Sequence, residues 1–278
     1  MLTKLALITV VYQNYDILKD FFESLNKQTN KDFHLYIVDL STDRKKIAHP
    51  HFPYTIITGQ NRGYAYGVNN GLQKAIRDGN IHFAVINSDV LIEETFVEYT
   101  LSSLNTYPMS LIGGKIYYAP GFEYHKDRYQ LKDRGKILWY TGGTIDWQNV
   151  YVKHRGVDEV DTGQYSVDEP TDFITGCFMT FDKTTFDTVG LWDEKYFLYY
   201  EDADFCERAK RKGIKLYYDP SIVLWHKNAQ STGGSGSPLH NHYQKINRLR
   251  FGMKYAPFKT KLFLIRDYLL DKLKTNIS

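Results

Sequence analysis

Cysteine, long apolar runs and net charge are all scarce in this chain of 278 residues. The two cysteines, Cys177 and Cys206, stand in no paired spacing, which excludes a disulfide framework and a cysteine–histidine zinc pattern and fits a reducing compartment. The apolar run Leu5–Val11 is too short to span a bilayer and no small-residue cleavage site follows it, so it reads as a buried strand. A formal net charge of +3 is too small to make nucleic acid the expected partner. GxxxxGK[ST], GxGxxG and GxSxG are missing as well, and with them the usual supports of kinase, dehydrogenase and hydrolase readings.

What remains is ordinary for a globular protein. Hydrophobic residues at 42% and charged residues at 24% argue against disorder and suit one large α/β domain with a real core. Aromatics are plentiful. The 23 tyrosines offer flat faces with polar tips, which serve for stacking on sugars or bases and equally for partly wet surfaces.

Through the first half, Leu5–Val11 is a continuous apolar run, as expected of a strand covered on both faces, and Leu35–Val38, Tyr54–Thr58 and Phe83–Ile86 read as further strands. Between them Ile17, Leu18, Phe21, Phe22 and Leu25 recur at helical spacing. Ala65, Val68, Leu72, Ala75 and Ile76 do the same and are closed by Asp78-Gly79. Strands alternating with helices predict right-handed crossovers and a mainly parallel sheet, whose ligands sit beyond the carboxyl ends of the strands. Asp39, Asn61 and Asp89 all fall at such ends. After Tyr107 the pattern loosens. Strands are expected at Leu111–Tyr118, Cys177–Phe181 and Lys215–Tyr218, and helices at Lys183–Val189 and Asp202–Lys212, with a polar hairpin or surface excursion over Gln148–Pro170. Ser231–Pro238 (STGGSGSP) is the one flexible, low-complexity stretch.

Four segments carry groups with chemistry. Asn87-Ser88-Asp89 ends a buried strand, where a carboxylate facing a crevice can hold a divalent cation that grips two phosphates; the competing reading has Asp89 capping a helix that begins near Glu93. Glu201-Asp202-Ala203-Asp204 opens a helix, where acids complement the macrodipole without any function, as Arg208, Lys210, Arg211 and Lys212 do at the other end. Against that stands the preceding Lys195–Tyr200 (KYFLYY), odd for a surface turn, which predicts acids emerging from a packed aromatic wall, one of them fit to be a general base. His226 ends the apolar Leu224-Trp225-His226, and an imidazole there is either a structural residue or a metal ligand. Asn61–Asn69 (NRGYAYGVN) has glycines for a tight turn and a close approach to a ligand.

In their order, these motifs resemble the family two glycosyltransferases with the GT-A fold, and within them the rhamnosyl and galactofuranosyl transferases of bacterial polysaccharide assembly. The resemblance covers most of the chain. Ile8-Thr9-Val10-Val11-Tyr12 and Val38-Asp39-Leu40-Ser41-Thr42 look like the family's base-binding strand ends, Asn61–Asn69 like its NxGxAxGxN segment and Asn87-Ser88-Asp89 like its DxD motif. Thr175-Gly176-Cys177 is similar to its acceptor-side glycine turn and Trp192–Asp204 (WDEKYFLYYEDAD) to its ED-containing stretch; His226 matches the late histidine ligand and Gly233–Arg250 the lid and following helix. Two positions depart from the pattern: Asn87 opens the DxD motif in place of Asp, and Leu40 stands where a polar residue is common.

The resemblance implies an α/β fold of GT-A type, with a Rossmann-like, mainly parallel central sheet flanked by helices, a smaller mixed sheet on the acceptor side and C-terminal helices. It divides the chain into a catalytic domain over 1–240 and a helical segment over 241–278. The domain comprises a nucleotide-binding half at 1–107, an acceptor and catalytic half at 108–228 and a flexible lid at 229–240. It implies a metal-dependent, inverting hexosyltransferase with a dTDP- or UDP-linked donor, dTDP-rhamnose favoured, and a hydroxyl of a cell-surface polysaccharide or lipid-linked glycan as acceptor. Asp202 is the implied general base, expected to stay ionised at a helix start. Asp89 and His226 are the implied ligands of Mn2+ or Mg2+, Thr9, Tyr12, Asp39 and Asn61 the nucleoside contacts, and Asn87, with Asp89, part of the donor-binding set. Gly176, Trp192, Asp193 and Glu201 are the implied contacts to donor sugar or acceptor.

A sugar-phosphate nucleotidyltransferase can share a similar nucleotide-binding half, but it would show a basic, glycine-rich loop where this chain has Val11-Tyr12-Gln13-Asn14. A dead glycan-binding module is disfavoured by the joint retention of Asp89, Asp202 and His226. Phe258–Lys274 is apolar and basic, suited to an anionic membrane surface or to packing on the domain or a second subunit; both readings, and a homodimer, stay open. The expected location is cytoplasmic, with the inner face of the plasma membrane as a place of work.

Overall fold

The computed structural model of the protein describes residues 4–47, 50–228 and 236–275. The first half runs β1 (Leu5–Val11), α1 (Leu18–Asn26), β2 (Phe33–Asp39), β3 (Tyr54–Thr58), α2 (Tyr64–Arg77) and β4 (His82–Ile86). β5 (Val90–Ile92), α3 (Phe96–Thr106), β6 (Ser110–Tyr118), β7 (Leu138–Tyr140), β8 (Gly143–Asp146), β9 (Tyr151–His154) and β10 (Glu169–Pro170) follow. β11 (Phe178–Asp182), α4 (Lys183–Val189), α5 (Glu201–Arg211), β12 (Lys215–His226), α6 (Pro238–Tyr255) and α7 (Phe258–Thr275) complete the chain.

One ten-stranded sheet runs in the order β10-β12-β6-β11-β4-β1-β2-β3, with β5 on β12 and β7 on β6; β8 and β9 form a separate antiparallel pair. β1 is parallel to β2 and β4, β2 to β3, and β6 to β12. β11 runs against β4 and β6, so its amino end lies at the edge where theirs are carboxyl ends. The mainly parallel α/β architecture expected from the strand–helix alternation is therefore present, with C-terminal helices on one side.

β1 is buried along nearly its whole length, which requires helices close on it. α2 meets that demand through glycines. A Cβ on Gly67 would come 2.7 Å from Val10, and one on Gly71 2.4 Å from Ile8, so the helix lies closer to the strand than any larger residue permits.

Two expectations need correction. Lys215–Tyr218 and Leu224–His226 are one continuous strand, β12, carrying a bulge between Asp219 and Val223. Pro220 lacks a ladder donor and sits in the irregularity, which is why the apolar pattern broke there. Asp89 does not cap a helix near Glu93: it is followed by β5, and α3 starts only at Phe96. Gln148–Pro170 holds the end of the β8–β9 hairpin and then β10, which adds to the edge of β12. Of the expected lid, 229–235 lies outside the described residues; Ser237 caps α6 by accepting the His240 N–H at 3.1 Å, with Pro238 in the first turn.

Candidate active site

At the edge described above, the carboxyl ends of β1, β2, β4 and β12, the amino end of β11 and the amino ends of α5 and α6 surround a cleft of about 710 Å3. Tyr12, Asn61, Asn87, Asp89, Gly176, Glu201, Asp202 and His226 all line it. This is the position at which open α/β sheets bind ligands, because the loops leaving parallel strands diverge there.

Asp89 and His226 meet because β5 folds back on β12. Val90 pairs in register with His226, and the Lys227 N–H donates to the Asp89 carbonyl at 2.9 Å. His226 Nε2 then lies 3.2 Å from Asp89 Oδ1, with both side chains buried. Trp139 packs edge-on against the imidazole at 4.5 Å, and His226 Nδ1 is buried with no hydrogen-bond partner. Among the described residues no cluster of three or more His, Cys, Asp or Glu side chains is placed to hold a metal ion.

Asp202 stands in the first turn of α5. Its Oδ2 accepts the Gly176 N–H at 2.8 Å and its Oδ1 the Ala203 N–H at 2.8 Å. A Cβ on Gly176 would approach the Asp202 Cβ to 3.3 Å, so the turn before β11 is fitted to this carboxylate. Two opposed influences act on the Asp202 carboxyl, whose place at a helix start favours the ionised form. Loss of water on burial pushes the group up, and the Gly176 and Ala203 amides only partly oppose it. Glu201 is pushed up strongly, first by burial and then by the charge of Asp202, and its Oε2 is buried without a hydrogen-bond partner.

The backbone that delivers these acids is strained. Tyr199 and Tyr200 are consecutive left-handed residues at φ 68° and 70°, a conformation costing on the order of 1–3 kcal/mol for each non-glycine residue. Buried Asn247 on α6 holds them, its Nδ2 donating to the carbonyls of Leu198 at 2.8 Å and Tyr199 at 3.1 Å. The Tyr200 hydroxyl donates to the Val150 carbonyl at 2.8 Å. The aromatic run is thus a packed wall, as its composition implied.

Four expected contacts are not among the residues that line the cleft. Trp192 is a core residue, stacked on Phe205 at 5.1 Å. Asp193 accepts the Lys195 N–H and pairs with Lys254 at 3.3 Å on the outer side of the same segment. Asp39 is buried behind Leu40, accepting from the Tyr15 hydroxyl and the Ser41 N–H. Thr9 is fully buried inside β1. The glycine-rich Asn61–Asn69 segment divides its work: Asn61 lines the cleft, whereas Asn69 exchanges hydrogen bonds with the Trp192 backbone at 2.9 and 3.0 Å and braces the acid-bearing segment. Gly63, at φ 104°, leaves room for the Phe197 carbonyl, which a Cβ would meet at 2.5 Å.

Sequence reasoning missed Tyr64, His154 and Asn247. The Tyr64 hydroxyl lies 3.0 Å from both Asn87 Oδ1 and the Gly176 carbonyl, tying the β4 end to the β11 turn. His154 lines the cleft beside Trp139; burial drives its pKa down to about 4, against a hydrogen bond to the Trp139 carbonyl, and the neighbouring His226 lowers it further. Neither side chain carried a signal in sequence, being one aromatic or one histidine among many; Asn247 was hidden in a polar helix.

Residues 6–190 match glycosyl transferase family 2. The low-salt glycan biosynthesis hexosyltransferase Agl10 of Haloferax volcanii is 24% identical over 78% of the chain, which spans 64% of that enzyme's length. The N-acetylglucosaminyl-diphospho-decaprenol L-rhamnosyltransferase of Mycobacterium tuberculosis is 24% identical over 82% of the chain and 78% of the relative. The dTDP-rhamnosyl transferase RfbF of Shigella flexneri is 23% identical over 84% and 74%. Among solved structures, GalNAc-T7 with UDP, GalNAc and Mn2+ superposes with a TM-score of 0.64 at 13% identity, over 89% of this chain and 48% of that one. S. aureus TarS gives 0.51 at 16% identity, over 78% and 36%. The chain therefore belongs to glycosyl transferase family 2 and carries the GT-A fold.

Proposed function

We propose that the protein is an inverting sugar transferase in which Asp202 takes the proton of an acceptor hydroxyl and Asp89 with His226 serves the diphosphate of the donor. The observation that carries this reading is the convergence of these three side chains on one cleft. The acceptor oxygen bonds to the anomeric carbon as the bond from that carbon to the diphosphate oxygen breaks, the configuration inverts, and the proton passes to an Asp202 oxygen. A carboxylate raised by burial is a better proton acceptor near neutral pH, and each Asp202 oxygen keeps a lone pair beyond the one its backbone partner uses. Glu201 lies on the same wall of the cleft, beside Asp202.

Mn2+ or Mg2+ fits the donor set. A carboxylate oxygen and an imidazole nitrogen, Asp89 Oδ1 and His226 Nε2, lie 3.2 Å apart in the cleft, and both are donor types that such a cation accepts. These two would hold the ion, with donor phosphates and water as the other ligands; when bound it offsets the charge that grows on the leaving diphosphate.

The rhamnosyl names of two relatives favour dTDP-rhamnose as donor, and the diphospho-decaprenol name favours a lipid-linked glycan acceptor. We assign 1–107 to the nucleotide, 108–228 to catalysis and acceptor, 229–240 to a closing segment and 241–278 to a helical appendage. The nucleotidyltransferase alternative draws no support from the family match. A panel of dTDP- and UDP-sugars with Mn2+, Mg2+ or chelator tests the proposal. Metal-dependent release of dTDP from dTDP-rhamnose, with thermal stabilisation, is expected; no release and no stabilisation by any sugar nucleotide would sink it.

A further inference from the structure

We propose that α7 is a docking surface for an anionic phospholipid membrane, on which it lies parallel to the bilayer plane. The helix presents its apolar residues the wrong way round for a packed element. Its domain-facing side is held by buried Leu264, which sits against Gly252 of α6, and by Asp267, which pairs with Arg248 at 3.0 Å. On the far side Phe258, Leu262, Ile265 and Leu269 are 76%, 54%, 39% and 54% exposed. At about 100° per residue these four fall within roughly 60° of arc, a single stripe facing away from the core.

Charge selects the occupant. Residues 238–278 contain nine Lys and Arg against two Asp, a net +7 in a chain whose total is +3. Lys259 and Arg266 flank the stripe on one side and Lys261 on the other, by the same helical geometry. An apolar stripe between cationic edges matches an anionic bilayer surface, where acyl chains receive the stripe and headgroups the cations. A second copy seated through the same stripe would set two such cationic helices against each other. No described helix is long and apolar enough to cross a membrane, so the helix lies on the surface. α6, which supports α7, also contributes His240 and Tyr243 to the wall of the cleft, so docking brings that wall towards lipid-borne acceptors. This inference does not rest on the transfer chemistry.

The test is co-sedimentation of the full chain with phosphatidylcholine vesicles containing or lacking phosphatidylglycerol at about three parts in ten, at low salt and at about 0.5 M salt. Binding is expected only with the anionic lipid and is expected to weaken in high salt. Leu262→Asp with Leu269→Asp should reduce it roughly tenfold or more, and Lys259→Glu with Arg266→Glu should do likewise while keeping the stripe. These positions are exposed, so circular dichroism and melting temperature should match the parent. Equal binding to neutral vesicles, binding unchanged by either pair, or a dimer in sedimentation that the aspartate pair dissolves would overturn the proposal.

Discussion

His226 Nε2 lies 3.2 Å from Asp89 Oδ1, two buried groups far apart in the sequence placed together by the pairing of β5 on β12. A cation between them would be shared by one carboxylate and one imidazole, so neither residue alone suffices. Asp89→Ala and His226→Ala should each lower the metal-dependent affinity for dTDP or UDP by about tenfold to a hundredfold. Calorimetric titration with Mn2+ and with chelator checks this; affinity unaffected by metal in the parent would remove both residues from that role.

Asp202→Asn keeps an oxygen to accept the Gly176 N–H and the size of the side chain, but removes the base. Turnover should fall by roughly 10²–10⁴-fold with nucleotide affinity retained. Near-parental turnover would mean that another group takes the proton.

Asn247 pins the left-handed Tyr199 and Tyr200 through two carbonyls. Asn247→Leu leaves those carbonyls unsatisfied beneath a strained turn and should cost about 1–3 kcal/mol. It should also lower kcat more than donor affinity, because the acids move while the diphosphate site stays. Denaturant unfolding and steady-state kinetics together separate the two effects.

Asn69 distinguishes a bracing role from a ligand contact. Its buried amide bonds the Trp192 backbone on both sides, so Asn69→Ala should destabilise by about 1–3 kcal/mol while leaving the donor KM near the parental value. A raised KM with unchanged melting temperature would place Asn69 on the donor instead.

His154 supplies a pH signature. Burial keeps it neutral down to about pH 4, whereas the unfolded chain takes up the proton near the ordinary histidine value of 6.5. The unfolded state then binds more protons, so stability is full above pH 6.5, declines as pH falls through this window and levels off below about 4. The loss should approach 2 kcal/mol, discounted for the partial exposure of the ring. Unfolding free energies of the parent and of His154→Gln at pH 7 and pH 5 check the sign: the parent should lose more on acidification than the variant.

Much of the first half was legible because strands covered on both faces need unbroken apolar runs, and the helices that cover them need apolar residues on a 3.6-residue period. β1 and α2 carry these two signals, and Asp89 and Asn61 could be placed at strand ends from them. β5 was not legible, since three residues are too few for any period, and the bulge at Pro220 concealed that β12 is one strand. Those two features are what join Asp89 to His226.

The sequence by itself determined which groups with chemistry exist, that they stand at the ends of elements, and which family their order resembles. Only the tertiary structure decided that Trp192 and Asn69 turn inward as braces, that Tyr64 and His154 belong to the cleft, and that Asp202 is raised by burial where a helix start alone would hold it down. The reason is physical: periodicity reports whether a face is covered, whereas hydrogen-bond partners, loss of water and meetings between distant segments depend on what the other elements bring to that face.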